Sequence, residues 1–226
     1  TAPDYETQTS YSATVTVSDG TNTTTQDITV NVTDANDPPT FTSNATFSAA
    51  ENQTAIGTVT ASDPEGDTLS FTISGSDITI VSSSGLLEFA SAPDFETQTS
   101  YSVTVTVSDG TNTVTQDITV NVTNVNDVAP EFTSNATFSA EENQTAIGTV
   151  TATDADGDSV TFTISGSELQ ISSEGVLSFV TAPDYESQDT YTATVTASDG
   201  TNTTTQDITV TITDVANETT VLRVIS

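Results

Sequence analysis

The chain has 226 residues, with 32 Asp and Glu against a single basic residue, Arg223, and a net charge of −31 at pH 7. That charge excludes nucleic-acid and anionic-membrane partners on electrostatic grounds, and it leaves a self-repulsion that bound cations would offset. The absence of Cys, His and Lys excludes a disulfide framework and any Ser-His or Cys-His nucleophile pair.

Leu, Ile, Val and Phe make up about a fifth of the chain, near the level at which charged chains stay unfolded. Periodicity decides for folding. The block PDYETQTSYSATVTVSDG at 3–20 returns as PDFETQTSYSVTVTVSDG at 93–110 and as PDYESQDTYTATVTASDG at 183–200. Asp4, Asp94 and Asp184 therefore follow one another at intervals of 90 residues. A period of that length is too long for a solenoid and suits a small β-sandwich.

In chain order, residues 1–37 read as the last part of one repeat and contain only its final two strands, F and G. The chain is expected to begin inside a repeat and to be a segment of a longer polypeptide. A lone hairpin is marginal in water, so its missing strands come either from upstream or from another subunit. Residues 38–127 form a full repeat with seven expected strands. They are A at Phe41–Phe47 (in two short pieces), B at Ala55–Ala61, C at Leu69–Ser74, D at Ile78–Val81, E at Leu86–Ala90, F at Ser100–Ser108 and G at Thr115–Thr123. Strand F alternates Tyr101, Val103, Val105 and Val107 with Ser and Thr, the mark of a half-buried strand. Asp109-Gly110 supplies the turn into G. Residues 128–217 repeat the unit, and 218–226 match nothing upstream. The expected fold is all-β: tandem seven-stranded Greek-key, antiparallel β-sandwiches with small cores. No apolar run is long enough to span a membrane.

Acidic residues recur at fixed phases. Calcium takes six to eight oxygen ligands, several of them carboxylates. Glu51, Asp94, Glu96, Asn126, Asp127, Asp154, Asp156 and Asp199 can converge where the second and third repeats join. DADGDS at 154–159 has the 1, 3, 5 spacing of an EF-hand loop, but Ser159 replaces the Gly, Ser165 replaces the final Glu, and no helices flank it. Asp27, Asp117, Asp207, Glu88 and Glu174 read as solvated loop carboxylates.

This set, in this order, resembles cadherin repeats throughout 1–217, and more the cadherin-like arrays of microbial surface proteins than animal adhesion cadherins. On that resemblance, the family's Glu motif falls on Glu51 and Glu142. Its Asp-x-Glu falls on Asp4/Glu6, Asp94/Glu96 and Asp184/Glu186. Its linker falls on 34–38, with Asn36 and Asp37, and on 124–128, with Asn126 and Asp127. Its Asp-x-Asp falls on Asp154/Asp156 and, with Glu in second place, on Asp63/Glu65. Its later Asp falls on Asp109 and Asp199. The resemblance implies calcium ions as cofactor at each junction and an extracellular location. The third linker, Asp214 to Glu218, lacks the Asn-Asp pair, so Glu142, Asp184 and Glu186 are expected to form a weakened or open site. Asp67 and Asp158 are weaker candidates.

The implied job is mechanical: a calcium-stiffened stalk, spacer or filament segment with no enzymatic activity. Three readings stay open. The segment is a passive spacer, or a protomer whose first repeat or apolar tail docks into another copy of the chain, or a carbohydrate- or protein-binding module. Nine Asn-x-Ser/Thr sequons, Asn22 to Asn217, would accept glycans in a competent secretory pathway.

Overall fold

A computed structural model describes residues 2–216. All regular structure among them is β. The chain divides into two compact units, 1–123 and 124–226.

The first unit opens with a hairpin, β1 (Ser10–Ser18) against β2 (Thr23–Asn31). Its sandwich then uses β3 (Thr40–Phe41), β4 (Thr46–Ala50), β5 (Ala55–Thr58), β6 (Ala61–Ser62), β7 (Ser70–Ile73), β8 (Ile78–Ile80), β9 (Leu86–Phe89), β10 (Ser100–Ser108) and β11 (Thr113–Thr123). One sheet has the order β4-β11-β10-β7, the other β5-β9-β8, and β3 pairs with β6. Strand A is in two pieces as expected. Strand B also breaks in two, between Thr58 and Ala61, and β5 shifts register against β9 between Ala55 and Gly57. Strand G begins two residues earlier than expected, at Thr113.

The sandwich departs from a purely antiparallel one: β4 runs parallel to β11, from Thr46 opposite Thr119 to Ala50 opposite Thr123. Period-2 patterning shows which side chains face the core but not the direction of a neighbouring strand.

Burial follows the alternation. Val105, Val107, Ile118 and Val120 are fully enclosed and meet Val59, Ile78, Leu87 and Phe89 from the facing sheet. Tyr101 rests edge-on against Phe89, ring centres 5.1 Å apart. Gly85 has φ +72°, and a Cβ there would lie 2.1 Å from the Val59 carbonyl oxygen, so only glycine fits.

The β1–β2 hairpin shares the register of β10–β11, pair for pair. Its inward-type residues are nevertheless open. Val15 is 45% and Val30 57% exposed, where Val105 and Val120 are at 0%.

The second unit repeats the plan with β12 (Glu131–Phe132), β13 (Thr137–Glu141), β14 (Ala146–Thr149), β15 (Ala152–Thr153), β16 (Thr161–Ile164), β17 (Leu169–Ile171), β18 (Val176–Phe179), β19 (Thr190–Ser198) and β20 (Thr203–Thr213). Strand β13 is parallel to β20. Phe179, Leu177, Val195, Ile208 and Val210 centre its core.

Candidate metal centre

The acidic motifs sit at the two ends of the long hairpins. At one end, β4 and β13 each finish beside a glutamate that is taken into the protein. Glu51 is 3% and Glu142 2% exposed. The next residues, Asn52 and Asn143, adopt φ of 61° and 63°, a left-handed turn that Asn tolerates. The Phe95 N–H donates to Glu51 Oε2 at 2.8 Å. The Tyr185 N–H donates to Glu142 Oε2 at 3.0 Å, and the Val215 N–H to Glu142 Oε1 at 2.8 Å. Each glutamate thus ties the Asp-x-Glu turn to the A strand.

Within that turn the aspartate acts as a cap. Asp94 accepts from the Thr97 N–H at 3.1 Å and the Thr97 hydroxyl at 2.9 Å. Asp4 does the same with Glu6, Thr7 and the Thr7 hydroxyl, and Asp184 with Glu186 and Ser187. The Thr7 hydroxyl, chiefly, holds the Asp4 carboxyl below its ordinary range.

At the other end of each sandwich lie the loops holding Asp63/Glu65 and Asp154/Asp156, with the turns at Asp109 and Asp199. Asp63 Oδ1 accepts the N–H groups of Glu65 and Asp67, both at 3.1 Å. Glu65 Oε2 accepts the Asp37 N–H at 3.1 Å. Asp156 Oδ2 accepts the N–H groups of Asp127 and Val128 at 3.1 and 2.9 Å. Asp109 Oδ1 takes the N–H groups of Thr111 and Asn112, and its Oδ2 takes the Asn36 amide at 2.9 Å. Asp199 has the matching turn, and Asn202 donates to Asn126 Oδ1 at 2.8 Å. Burial pushes the Asp109 and Asp199 carboxyls up, but these donors outweigh it and hold both below the ordinary value.

Within single units, and among the described residues, three clusters bring carboxylate oxygens within 4.8 Å of one another: Glu6, Asp37 and Glu65; Asp154, Asp156 and Asp158; and Glu142, Asp184 and Glu186. The last is the site expected to be weakened or open, and its three residues lie together. Asn217 and Glu218 of its linker lie outside the described residues. Glu51, Asp94 and Glu96 belong to the first unit, and Asn126, Asp127, Asp154, Asp156 and Asp199 to the second.

The first cluster is under electrostatic stress. The Glu6 backbone N–H favours its carboxylate, but desolvation, Asp4 and the charges of Glu65 and Asp34 prevail and push the carboxyl up to about 7.

The decisive geometry concerns single atoms. Asp63 Oδ2, Glu65 Oε1, Asp154 Oδ2 and Asp156 Oδ1 are buried and have no hydrogen-bond donor. Buried carboxylate oxygens without a partner are costly. Their equivalent placement in two repeats, beside further carboxylates, fits a hard divalent cation with oxygen ligands.

Sequence reasoning understated Asp158, the third acid of its loop, which joins Asp154 and Asp156. It missed Asn112 and Asn202, whose signal was the recurrent Asp-Gly-Thr-Asn turn. Asp27, Asp117 and Asp207 are not loop residues. They stand on the outer sheet face, each accepting a Thr hydroxyl at 2.6–2.7 Å. Glu88, too, lies in a strand, β9.

A family model described as "Bacterial Ig domain" matches residues 36–123 and 126–213. The chain belongs to the bacterial Ig domain family. These bacterial Ig domains share the cadherin fold, as the motif resemblance implied. Mouse cadherin-23 repeats EC22-24 superpose with a TM-score of 0.70 at 23% identity, covering 95% of this chain and 78% of that one. Human protocadherin-24 EC1-2 gives 0.70 at 22% identity, covering 80% of this chain and 100% of that one. In sequence, the bacterial Ig domains here are 41% identical over 125 residues to a chitinase A of Pseudoalteromonas piscicida, covering 54% of this chain and 15% of that protein. They are 35% identical over 118 residues to mouse cadherin-related family member 2, covering 49% of this chain and 9% of that protein. The chain thus spans a small part of the curated relatives it matches.

Proposed function

We propose that this chain is an extracellular, non-catalytic structural array whose repeats are stiffened by calcium, and that it serves as a stalk or spacer. The observation that carries the reading is the set of donor-less buried oxygens on Asp63, Glu65, Asp154 and Asp156. Asp63, Glu65, Glu6, Asp37 and Asp109 would hold the cation of the first unit. Asp154, Asp156, Asp127 and Asp199 would contribute to that of the second, and Glu51, Asp94, Glu96, Glu142, Asp184 and Glu186 would serve at the opposite ends. Calcium would neutralise the carboxylates and replace the donors those oxygens lack. Similarity to parts of a chitinase and of a cadherin, proteins of unlike printed function, supports a module that supplies architecture rather than chemistry.

Calorimetric titration of calcium, paired with small-angle scattering, tests it. Saturable binding of several ions with an increase in particle length is the expected result. An absence of binding in the millimolar range, with scattering unchanged by chelator, would rule the reading out.

The open face of the β1–β2 hairpin favours a second reading, in which another chain supplies the facing strands. Sedimentation in calcium distinguishes the two: a strict monomer at high concentration counts against it.

A further inference from the structure

The sequence holds four Asp-Gly pairs, at 19–20, 109–110, 156–157 and 199–200. In such a pair the glycine nitrogen can attack the preceding side-chain carboxyl, because glycine has no Cβ to block the approach. Three pairs are locked against this in the same way. Asp19 Oδ1 accepts the Thr21 and Asn22 N–H groups at 2.8 and 2.6 Å, and the Gly20 N–H donates to Ser18 Oγ at 3.2 Å. Asp109 Oδ1 and Asp199 Oδ1 each accept two N–H groups at 2.6 Å, from Thr111 and Asn112 and from Thr201 and Asn202. The Gly110 and Gly200 N–H groups donate to Ser108 and Ser198 Oγ, both at 3.1 Å. The fourth pair lacks both locks. Asp156 Oδ1 is buried with no donor, and Oδ2 is turned to the Asp127 and Val128 N–H groups rather than to its own turn. Gly157 is exposed, and its N–H meets no acceptor among the described residues.

We infer that Asp156-Gly157 is a modification site, the Asp-Gly pair at which the folded chain converts aspartate spontaneously to isoaspartate. The Gly157 nitrogen attacks Asp156 Cγ and closes a five-membered succinimide. One carboxyl oxygen leaves as water, carrying the amide proton and one proton from solvent. Water then adds at the Asp156 main-chain carbonyl carbon and breaks its bond to the Gly157 nitrogen. The chain now runs through Cγ, the former main-chain carbonyl becomes a free carboxylate, and the borrowed proton returns to solvent. One water is lost and one gained, so no oxidant or co-reactant is needed. The product has an extra methylene in its backbone and a carboxylate set directly on Cα. It cannot present that carboxylate to the Asp127 and Val128 N–H groups as Asp156 does. The first unit has no equivalent. Its aligned pair is Glu65-Gly66, which would have to close a slower, six-membered ring, and the Gly66 N–H is held by the Asp63 carbonyl oxygen at 3.2 Å.

Ageing of the full chain in chelator at neutral pH, in native buffer and in urea, tests it. Chymotryptic peptides are read by mass spectrometry that distinguishes the two aspartyl isomers, and in oxygen-18 water each conversion takes up one labelled oxygen. In urea the four pairs convert at similar rates. In native buffer Asp156 converts at least about tenfold faster than Asp19, Asp109 or Asp199, since each of those must first break a charge-assisted hydrogen bond. Asp156→Glu abolishes conversion at 156 and leaves the other three pairs as they were. A retained amide-exchange pattern in 203–213 shows that the aged chain is folded. Equal rates at the four pairs in the folded chain, or protection of all four by the fold, overturns the proposal. A calcium arm rests on the calcium reading above, because a cation on Asp156 Oδ1 would hold the carboxyl and slow its conversion. If Asp156 converts selectively in chelator and calcium leaves its rate unchanged, the calcium reading fails at Asp156 and the modification site stands. If the four rates are equal in chelator while calcium slows Asp156, the calcium reading stands and the modification site falls.

Discussion

Replacing Glu142 by Ala removes a 2% exposed carboxylate that accepts two backbone donors, from Tyr185 at 3.0 Å and Val215 at 2.8 Å. Both bonds are part-buried and charge-assisted, and losing each costs about 1–3 kcal/mol. Neutralising Glu142 also relieves its repulsion with Asp184 and Glu186. Those carboxylates are exposed and screened by solvent, so the lost hydrogen bonds decide the sign. The expected destabilisation of the second unit is therefore about 2–6 kcal/mol. A sandwich of this size has about 5–13 kcal/mol in total. With a urea slope of about 2 kcal/mol per molar, the midpoint in chelator should fall by about 1–3 M. Urea unfolding followed through Tyr185 and Tyr191 fluorescence measures it, since the chain has no Trp. Calcium at ten to a hundred times its dissociation constant adds about 1.4–2.7 kcal/mol per site to the parent protein. The variant should lose much of that gain, so the gap widens in calcium. A midpoint shift below about 0.3 M in chelator would show that Glu142 ties nothing together.

Other outcomes follow from the same structure. Gly175→Ala places a Cβ 2.1 Å from the Val150 carbonyl oxygen at φ +88°, whereas Gly200→Ala, at φ +99°, meets nothing within 4 Å. Thermal melts should show a loss of about 1–2 kcal/mol for Gly200→Ala and clearly more for Gly175→Ala. Val105→Ala, at a fully buried site, should cost about 2–3 kcal/mol, while Val15→Ala at the matching hairpin position should cost under about 0.5 kcal/mol; equal losses would mean that the hairpin face is covered in solution. With its folded-state value raised to about 7, Glu6 binds more protons folded than unfolded between about pH 4.5 and 7. Metal-free stability from this group therefore falls as pH rises through that window. Calcium binding at pH 6 should release a proton from Glu6, seen as a buffer-dependent binding heat that Glu6→Gln removes.

The long strands were readable because their alternation is strict: Ser100–Ser108 has the same bounds in sequence and structure. Strand B was misread as continuous because fully buried Val59, in the gap between β5 and β6, carries the apolar alternation across the break. The parallel β4–β11 pairing was invisible because direction leaves no mark on periodicity. For the candidate site, motif order pointed to carboxylates that the structure gathers in clusters, such as Glu142, Asp184 and Glu186. It could not separate carboxylates already engaged in turns, such as Asp94, from those with an unclaimed oxygen, such as Asp63. That distinction depends on which backbone N–H groups a loop turns inward, which the residue types alone do not set.

The parallel placement of β4 beside β11, and of β13 beside β20, governs how each sandwich responds to force. The A strand enters near one end of its sandwich and G leaves at the other. A load applied along the chain pulls these neighbours in opposite directions along their shared length. Every rung between Thr46 and Ala50 is then sheared at once, where an antiparallel pair loaded at one end would open rung by rung. Two short ladders, one per unit, thus set the pulling force each sandwich withstands.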